Sequence, residues 1–296
     1  MSETPGSAQP GGSRPTGKPF PGRLLFGTAG VPESSVGRST LDGIRRVSEM
    51  GLDCLEVEFV QGVRMGLDTA RSVRAEAERL GIALSVHAPY WVNLNSVEEG
   101  KRLASMERLL HAARLGRELG ARNIVFHAGF YGRSSPEETY VAVRNGLREV
   151  TSILRSERSP VVLRPETMGK RSQFGSLEEV LFLCREIEGL KPCIDFSHLY
   201  AREGRANSYP HFHRILTKIA KKLGDRALRD MHIHISGVLF NEKGELKHLN
   251  LEESDFRYDD WIQALQHFGV RGLAVCESPR QDVDALMLKK LFAASP

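Results

Sequence analysis

Short apolar runs alternate with longer stretches of helical period along the chain from residue 23 onwards. Two of the longer stretches, 66–81 and 98–120, end in glycine, a residue that commonly terminates a helix. The short runs, which have the length and composition of strands, are 23–29, 54–60, 82–88, 123–129, 160–166, 192–198, 230–236 and 272–278. A regular alternation of strands and helices predicts a parallel sheet covered by helices, the α/β class.

Eight repeats of a strand followed by a helix predict one closed (β/α)8 TIM barrel over residues 23–296. The alternative is an open doubly wound sheet, which should carry a glycine-rich dinucleotide-binding turn after its first strand. The segment at that place, FGTAGVPESS (26–35), lacks the G-x-G-x-x-G spacing. The barrel is therefore favoured, as a single catalytic domain, and no second domain is predicted.

Residues 1–22 differ from the rest, because they are rich in Gly, Pro and Ser and almost free of large apolar side chains. This composition predicts a disordered tail, in which Arg14 and Lys18 are solvated cations. No apolar stretch approaches the ~20 residues that a membrane span needs, and the N-terminus lacks the apolar segment of a secretory signal. These features predict a cytoplasmic protein with no membrane partner.

Composition adds two restrictions. The 41 Lys and Arg against 37 Asp and Glu give a net charge of +4, which permits a polyanionic partner without requiring one. The four cysteines, Cys54, Cys184, Cys193 and Cys276, form no C-x-x-C pair. They are therefore predicted to be reduced, mostly buried thiols, and a zinc-finger type of site is not expected.

Candidate chemistry lies where the predicted strands end, which in a β/α barrel is where active sites form. Imidazoles and carboxylates recur at this end of six consecutive strands: His87, His127, Glu166, Asp195, His198, His232, His234 and Glu277, with His248 in the long loop predicted after the seventh strand. Burying so many polar groups is costly unless they are paired or bind metal. The mixture of His and carboxylate ligands predicts a cluster of divalent cations, with Zn²⁺, Mn²⁺ or Fe²⁺ suited to it.

Five of the ten histidines are not assigned to this cluster. His111, His211, His213 and His267 fall in helical stretches and are predicted to be surface or packing residues. His232 shares a strand face with His234 but lies deeper, so it is assigned to the layered interior of the barrel rather than to the metal ligands.

Seven short motifs, in register over residues 23–290, resemble the endonuclease IV family of metal-dependent apurinic/apyrimidinic (AP) endonucleases, which is one of the xylose-isomerase-like barrels. They are SVHAPYWVNL, VFHAG, RPETMG, IDFSH, MHIHISG, KHLNLEES and VCESP. The resemblance implies hydrolysis of the phosphodiester on the 5′ side of an abasic site in DNA. It also implies Zn²⁺ as the preferred metal, with two or three ions per chain, and damaged double-stranded DNA, met at the nucleoid, as the partner of a monomer.

The resemblance also implies a ligand for each metal. The first would take His87, His127 and Glu166, and Glu166 would bridge to a second held by Asp195, His234 and Glu277. The third would take His198, His248 and an aspartate two residues before His248. That position is Leu246, which cannot ligate, so the third site is either absent or completed by another residue such as Glu245. Glu166 and Glu277 are the candidate catalytic carboxylates, which would orient the attacking water.

Contacts with DNA are implied for six further residues: Tyr90, Trp91, Arg64, Lys170, Arg171 and Lys247. Tyr90 and Trp91 match a loop that enters the DNA at the lesion, where apolar wedges fill a gap in the base stack. The alternative is that they only cover the mouth of the barrel. Arg64 matches another lesion-penetrating basic residue of the family. Lys170, Arg171 and Lys247 are candidate charges near the phosphate if the third metal is missing, and a solvated surface charge remains the other interpretation of each of these three.

Two other classes of function stay open. A sugar isomerase or epimerase of the same superfold would need only one Mn²⁺-type ion on Glu166, Asp195, His234 and Glu277, because function depends on the site and not on the fold. A protein that binds damaged or single-stranded nucleic acid without cleaving it would use the metals structurally. The additional histidines favour the nuclease, since a single-metal isomerase has little use for His127, His198 and His248.

Overall fold

A computed structural model describes residues 22–204 and 207–294. The predicted tail, with Arg14 and Lys18, lies outside the described residues except for Gly22. The eight barrel strands are β1 (Leu24–Ala29), β2 (Cys54–Glu58), β3 (Ala83–His87), β4 (Asn123–Phe126), β5 (Val162–Pro165), β6 (Cys193–Asp195), β7 (Met231–Ile235) and β10 (Gly272–Cys276). The helices are α1 (Thr40–Glu49), α2 (Leu67–Leu80), α3 (Glu99–Leu119), α4 (Pro136–Ser156), α5 (Leu177–Glu186), α6 (Phe196–Glu203), α7 (Tyr209–Leu223), α8 (Tyr258–His267) and α9 (Gln281–Ala294).

The barrel strands are all parallel and follow the order β5-β4-β3-β2-β1-β10-β7-β6. Single bridges from Leu163 to Leu190 and from Glu166 to Cys193 join the two ends of this sheet. The predicted (β/α)8 barrel is thus confirmed. Because all eight strands point the same way, their carboxyl ends meet at one mouth.

Helix boundaries follow local signals in the sequence. Ser39, Ser135 and Ser176 each cap a helix through a capping box with the acidic residue three positions later. Gly81 and Gly120 end α2 and α3 with φ of 71° and 75°, a conformation that favours glycine, as the sequence pattern predicts. None of the helices within 22–204 and 207–294 is long and apolar enough to cross a membrane.

Alternation along the strands divides the buried residues between two sides of the sheet. Outward-facing apolar residues of the strands pack against the helices in the large core. Inside the barrel, a small apolar group of Leu25, Cys54, Leu273 and Val275 gives way to polar side chains towards the mouth. The four cysteines are unpaired, and all but Cys184 are fully buried, as predicted.

Two predictions after the fifth strand are wrong, one about where a strand ends and one about a loop. The sixth strand ends at Asp195, not at residue 198, because the Asp195 carboxylate accepts a hydrogen bond from the backbone N–H of His198 at 2.7 Å and thereby caps α6. His198 therefore lies in the first turn of a helix. The long segment after the seventh strand is not a loop but an antiparallel hairpin of β8 (Gly237–Asn241) and β9 (Gly244–Leu249).

Candidate metal centre

The first group of candidate ligand atoms comes from the end of β3 and from the residues that directly follow β4 and β5. The Nε2 atoms of His87 and His127 lie 3.3 Å and 3.2 Å from the same oxygen, Oε2 of Glu166. His87 donates a hydrogen bond from Nδ1 to the carbonyl of Ala88 at 2.8 Å, which directs its Nε2 towards Glu166. The structure thus brings together the three residues proposed for the first metal.

The second group shares Glu166 with the first. Its Oε1 faces Nδ1 of His234 at 3.5 Å, and the same nitrogen lies 3.3 Å from Oε1 of Glu277. Asp195, Glu166, Glu277 and His198 also offer ligand atoms within 4.8 Å of one another. Glu166 therefore stands between two candidate metal positions, as a bridging ligand must.

A third group contains Glu245 in place of the missing aspartate. Its carboxylate lies 3.2 Å from Nε2 of His198 and 3.5 Å from Nε2 of His248. Both histidines donate from Nδ1 to a backbone carbonyl, His198 to Thr167 at 2.9 Å and His248 to Glu277 at 3.0 Å. These bonds direct both Nε2 atoms towards Glu245.

A β-bulge in the hairpin explains why Glu245 occupies this position. Leu239 pairs with Lys247 and Phe240 pairs with Glu245, so Leu246 is an extra residue without a partner. Without the bulge, alternation would place residue 246 on the same face as His248. The extra residue turns Leu246 outwards, where it is 53% exposed, and turns Glu245 inwards.

The backbone of Gly169 makes room for the third group. A Cβ at Gly169 would lie 2.8 Å from Cβ of Glu245 and 3.0 Å from Cδ2 of His198. Any other residue would therefore displace one of these two candidate ligands. The glycine of the RPETMG motif is needed for this close approach.

Charges within the cluster shift the pKa values of its members. Burial opposes ionisation of Glu166, but His234 and His127 hold its pKa well below the usual range. Burial also opposes protonation of His87, but Glu166 and Glu58 raise its pKa to about 10. A cation bound at His87 would therefore displace a proton from this imidazole, which makes binding there more favourable as the pH rises.

Several of the candidate donor atoms make no hydrogen bond, and this fits a site for a divalent metal. Glu166 Oε1, Asp195 Oδ2 and His234 Nδ1 are buried and make no hydrogen bond within the described part of the chain. Buried polar atoms are rarely left in this state unless they bind a ligand or an ion. Imidazole and carboxylate donors together suit Zn²⁺, Mn²⁺ or Fe²⁺.

Two acidic residues on β2 were missed by the sequence analysis. Glu56 is fully buried and contacts Nε2 of both His232 and His234 at 2.9 Å. Glu58 faces the mouth, and burial raises its pKa to about 8. The signal was the C-L-E-V-E alternation, which places both carboxylates on the inward face of the strand.

The predicted DNA-contacting residues after β2 and β3 lie at the rim. Tyr90 stacks on His127, with ring centroids 5.1 Å apart, and meets His87 edge-on. Trp91 is 66% exposed. Arg64 is also exposed and lines a groove of about 490 Å³ that reaches Glu58.

Lys170, Arg171 and Lys247 are exposed beside the third group of ligands. The loop of Lys170 and Arg171 is held against the hairpin, because Lys170 bridges to Gly244 and the Arg171 N–H donates to the carbonyl of Lys243 at 3.2 Å. The three cations are thus carried on elements fixed to one another, and they give this side of the mouth a positive charge.

The remaining histidines lie where they were predicted. His111 and His267 are exposed, and His211 and His213 are partly buried on α7. His213, His267, Tyr209 and Phe268 form an aromatic group on the helical layer. His232 is fully buried in the barrel interior.

The chain is similar in sequence to a known family of barrels and to individual proteins. The profile of the family described as "Xylose isomerase-like TIM barrel" matches residues 44–292. An uncharacterized protein of Methanocaldococcus jannaschii is 42% identical over 91% of this chain and 97% of its own length. A "Probable endonuclease 4" of Mycoplasma pneumoniae is 25% identical over 73% of this chain and 75% of its own length.

Two solved structures are similar in fold. Endonuclease IV from Thermus thermophilus has a TM-score of 0.70 at 17% identity, covering 92% of this chain and all of its own. A D-tagatose 3-epimerase-like protein has a TM-score of 0.68 at 18% identity, covering 91% and 96%. Endonuclease-like and epimerase-like barrels thus share this fold. The profile match and the 42%-identical relative show that the chain belongs to the xylose isomerase-like TIM barrel family, and the resemblance to endonuclease IV is confirmed.

Proposed function

We propose that the chain is a metal-dependent endonuclease that hydrolyses the phosphodiester on the 5′ side of abasic sites in DNA. The observation that carries the proposal is the third ligand group, His198, Glu245 and His248, beside the two groups that share Glu166. An isomerase with one metal does not need these residues. The relatives named probable endonuclease 4 support the same activity.

Zn²⁺ is the proposed metal, with three sites per chain. The first site is His87, His127 and Glu166; the second is Glu166, Asp195, His234 and Glu277; the third is His198, Glu245 and His248. Bound metal would supply Lewis-acid stabilisation of the charge that develops on the phosphate oxygens.

The protein's own side chains position the substrate. Glu277 is partly exposed at the mouth, so its carboxylate can accept a hydrogen bond from the attacking water and orient it. Glu166 holds the imidazoles on either side at fixed distances. Lys170, Arg171 and Lys247 bind backbone phosphates, and such contacts set the register of the DNA without reading its sequence.

The exposed rim recognises the distortion of the duplex. Trp91 projects from the mouth and enters the gap in the base stack. Tyr90 remains stacked on His127 and supports Trp91. Arg64 contacts the DNA from the neighbouring loop, after β2.

A sugar isomerase or epimerase is the second candidate. The second ligand group alone could hold one Mn²⁺-type ion, and the D-tagatose 3-epimerase-like protein shares the fold.

Incubation with a duplex that carries one abasic site separates the two candidates. The zinc-loaded protein is expected to cut the damaged strand at the 5′ side of the lesion, and a chelator is expected to stop the reaction. Ketose sugars are tested in parallel by NMR. An intact strand in every reaction, together with epimerised sugar, would overturn the nuclease in favour of the isomerase.

Replacement of Glu245 by alanine tests the third site. The variant is expected to bind one Zn²⁺ fewer per chain by elemental analysis. Cleavage of the abasic duplex is expected to slow on the order of 10²-fold, the usual cost of removing one group that stabilises transition-state charge. The matched control is Leu246→Ala, which alters the neighbouring, outward-facing residue.

The control variant is expected to keep the full metal content. If Glu245→Ala retained all its zinc, or if Leu246→Ala lost an ion, the assignment of Glu245 as the replacement ligand would be wrong.

A further inference from the structure

Glu56 lies behind the second metal group, on the side away from the mouth. Its Oε1 is 2.9 Å from Nε2 of His234, and within the described residues neither atom has another hydrogen-bond partner. A carboxylate oxygen at this distance can only accept, so Nε2 of His234 must carry the proton. The other ring nitrogen, Nδ1, is then the one that faces Glu166 and Glu277.

The second oxygen of Glu56 is also occupied. Oε2 accepts hydrogen bonds from Ser85 Oγ at 2.7 Å and from Nε2 of His232 at 2.9 Å. The side-chain amide of Asn123 donates to Nδ1 of His232 at 3.1 Å, which leaves the His232 proton on Nε2. Each oxygen of Glu56 therefore faces a histidine N–H. The residues of this network are fully buried: Glu56, Ser85, Asn123, His232 and His234.

We infer that Glu56 is the positioning residue of the second metal site: it selects Nδ1 of His234 as the metal ligand and strengthens that ligand. A carboxylate behind a ligating imidazole fixes the orientation and the protonated nitrogen of the ring and increases its basicity. The inference rests on the proposed metal centre but not on the substrate, because a nuclease and an isomerase would both use His234.

The double contact predicts that glutamine does not substitute for Glu56. A carboxylate accepts at both oxygens, whereas an amide accepts at one end and donates at the other. If the NH2 group faced His234, the proton of that ring would have to move to Nδ1, the metal-binding atom. If it faced His232, it would meet the N–H of His232, whose other nitrogen already accepts from Asn123.

The test is metal binding by the full chain with Zn²⁺ and Co²⁺ as probes. Glu56→Gln is expected to weaken one metal site by about 10–100-fold in calorimetric titration, the usual effect of removing such a partner. The Co²⁺ absorption bands of that site are expected to change with it. Ser85→Ala is the matched control, since it removes one hydrogen bond from Glu56 and leaves both acceptor oxygens, so only a few-fold change is expected.

A second measurement does not depend on the variant being folded. In the zinc-loaded wild-type protein, ¹⁵N NMR of the histidines is expected to show His234 protonated at Nε2. Coordination of His234 through Nε2 would overturn the inference, and so would wild-type affinity at every site in folded Glu56→Gln. Failure of the wild-type protein to bind metal would instead overturn the proposed centre as a whole.

Discussion

Glu166→Ala is expected to lose both the first and the second metal and, with them, DNA cleavage. The two oxygens of the Glu166 carboxylate face separate ligand groups, with His87 and His127 on Oε2 and His234 on Oε1. Each metal supplies several kcal/mol of transition-state stabilisation, so a loss of about 10³-fold or more in the rate is expected. The measurements are zinc content and cleavage of a duplex with one abasic site.

Glu178→Ala is a suitable control for this substitution. Glu178 lies on α5, is about half exposed and pairs with Lys218 on the neighbouring helix α7. The control is expected to retain wild-type metal content and cleavage. Cleavage by Glu166→Ala at the wild-type rate would show that the assignment of Glu166 as the bridging ligand is wrong, although the proposed nuclease activity would stand.

Arg164→Ala is expected to lower the free energy of unfolding by about 3–5 kcal/mol, the usual cost of breaking a buried charge pair. Arg164 is fully buried at the end of the barrel opposite the mouth. Its guanidinium donates to the carbonyls of Pro192 and Asp230 and pairs with the Asp230 carboxylate at 3.2 Å. Alanine leaves those carbonyls without this donor and opens a cavity, and urea denaturation measures the loss.

Lys191→Ala tests whether burial causes this effect. Lys191 pairs with the same carboxylate but is 41% exposed, so the loss is expected to stay below about 1 kcal/mol. Cleavage per folded molecule is expected to be unchanged in both variants, because neither residue lies near the mouth. Equal decreases in the free energy of unfolding would mean that burial of Arg164 does not determine the size of its contribution.

The sequence predicted the barrel and the metal-ligand candidates for one reason. Parallel strands bring their carboxyl ends to one mouth, so residues that end successive runs, such as His87, His127, Glu166 and Glu277, must lie together once the topology is known. Their convergence needs no knowledge of loops. The proposed roles of these residues remain predictions.

The features that were missed depend on contacts that no strand-end rule describes. Glu56 lies one layer below the mouth, and its importance comes from His234 and from His232, which is 176 positions away in the chain. His198 was placed on a strand because nothing in the apolar run shows that Asp195 caps a helix. The hairpin strands pair on both sides of a bulge, and the bulge breaks the alternation on which strand prediction relies.

The bulge at Leu246 also affects how this chain is aligned with its relatives. Read column by column, a leucine at the position where an aspartate is expected suggests a lost metal site. If Leu246 is counted as an inserted residue, Glu245 becomes the equivalent of that aspartate, two positions before the histidine once the insertion is removed. The apparent loss is then a gap placed one residue too early, opposite Glu245 instead of Leu246. A family member that looks degenerate at this column should be realigned before it is judged inactive.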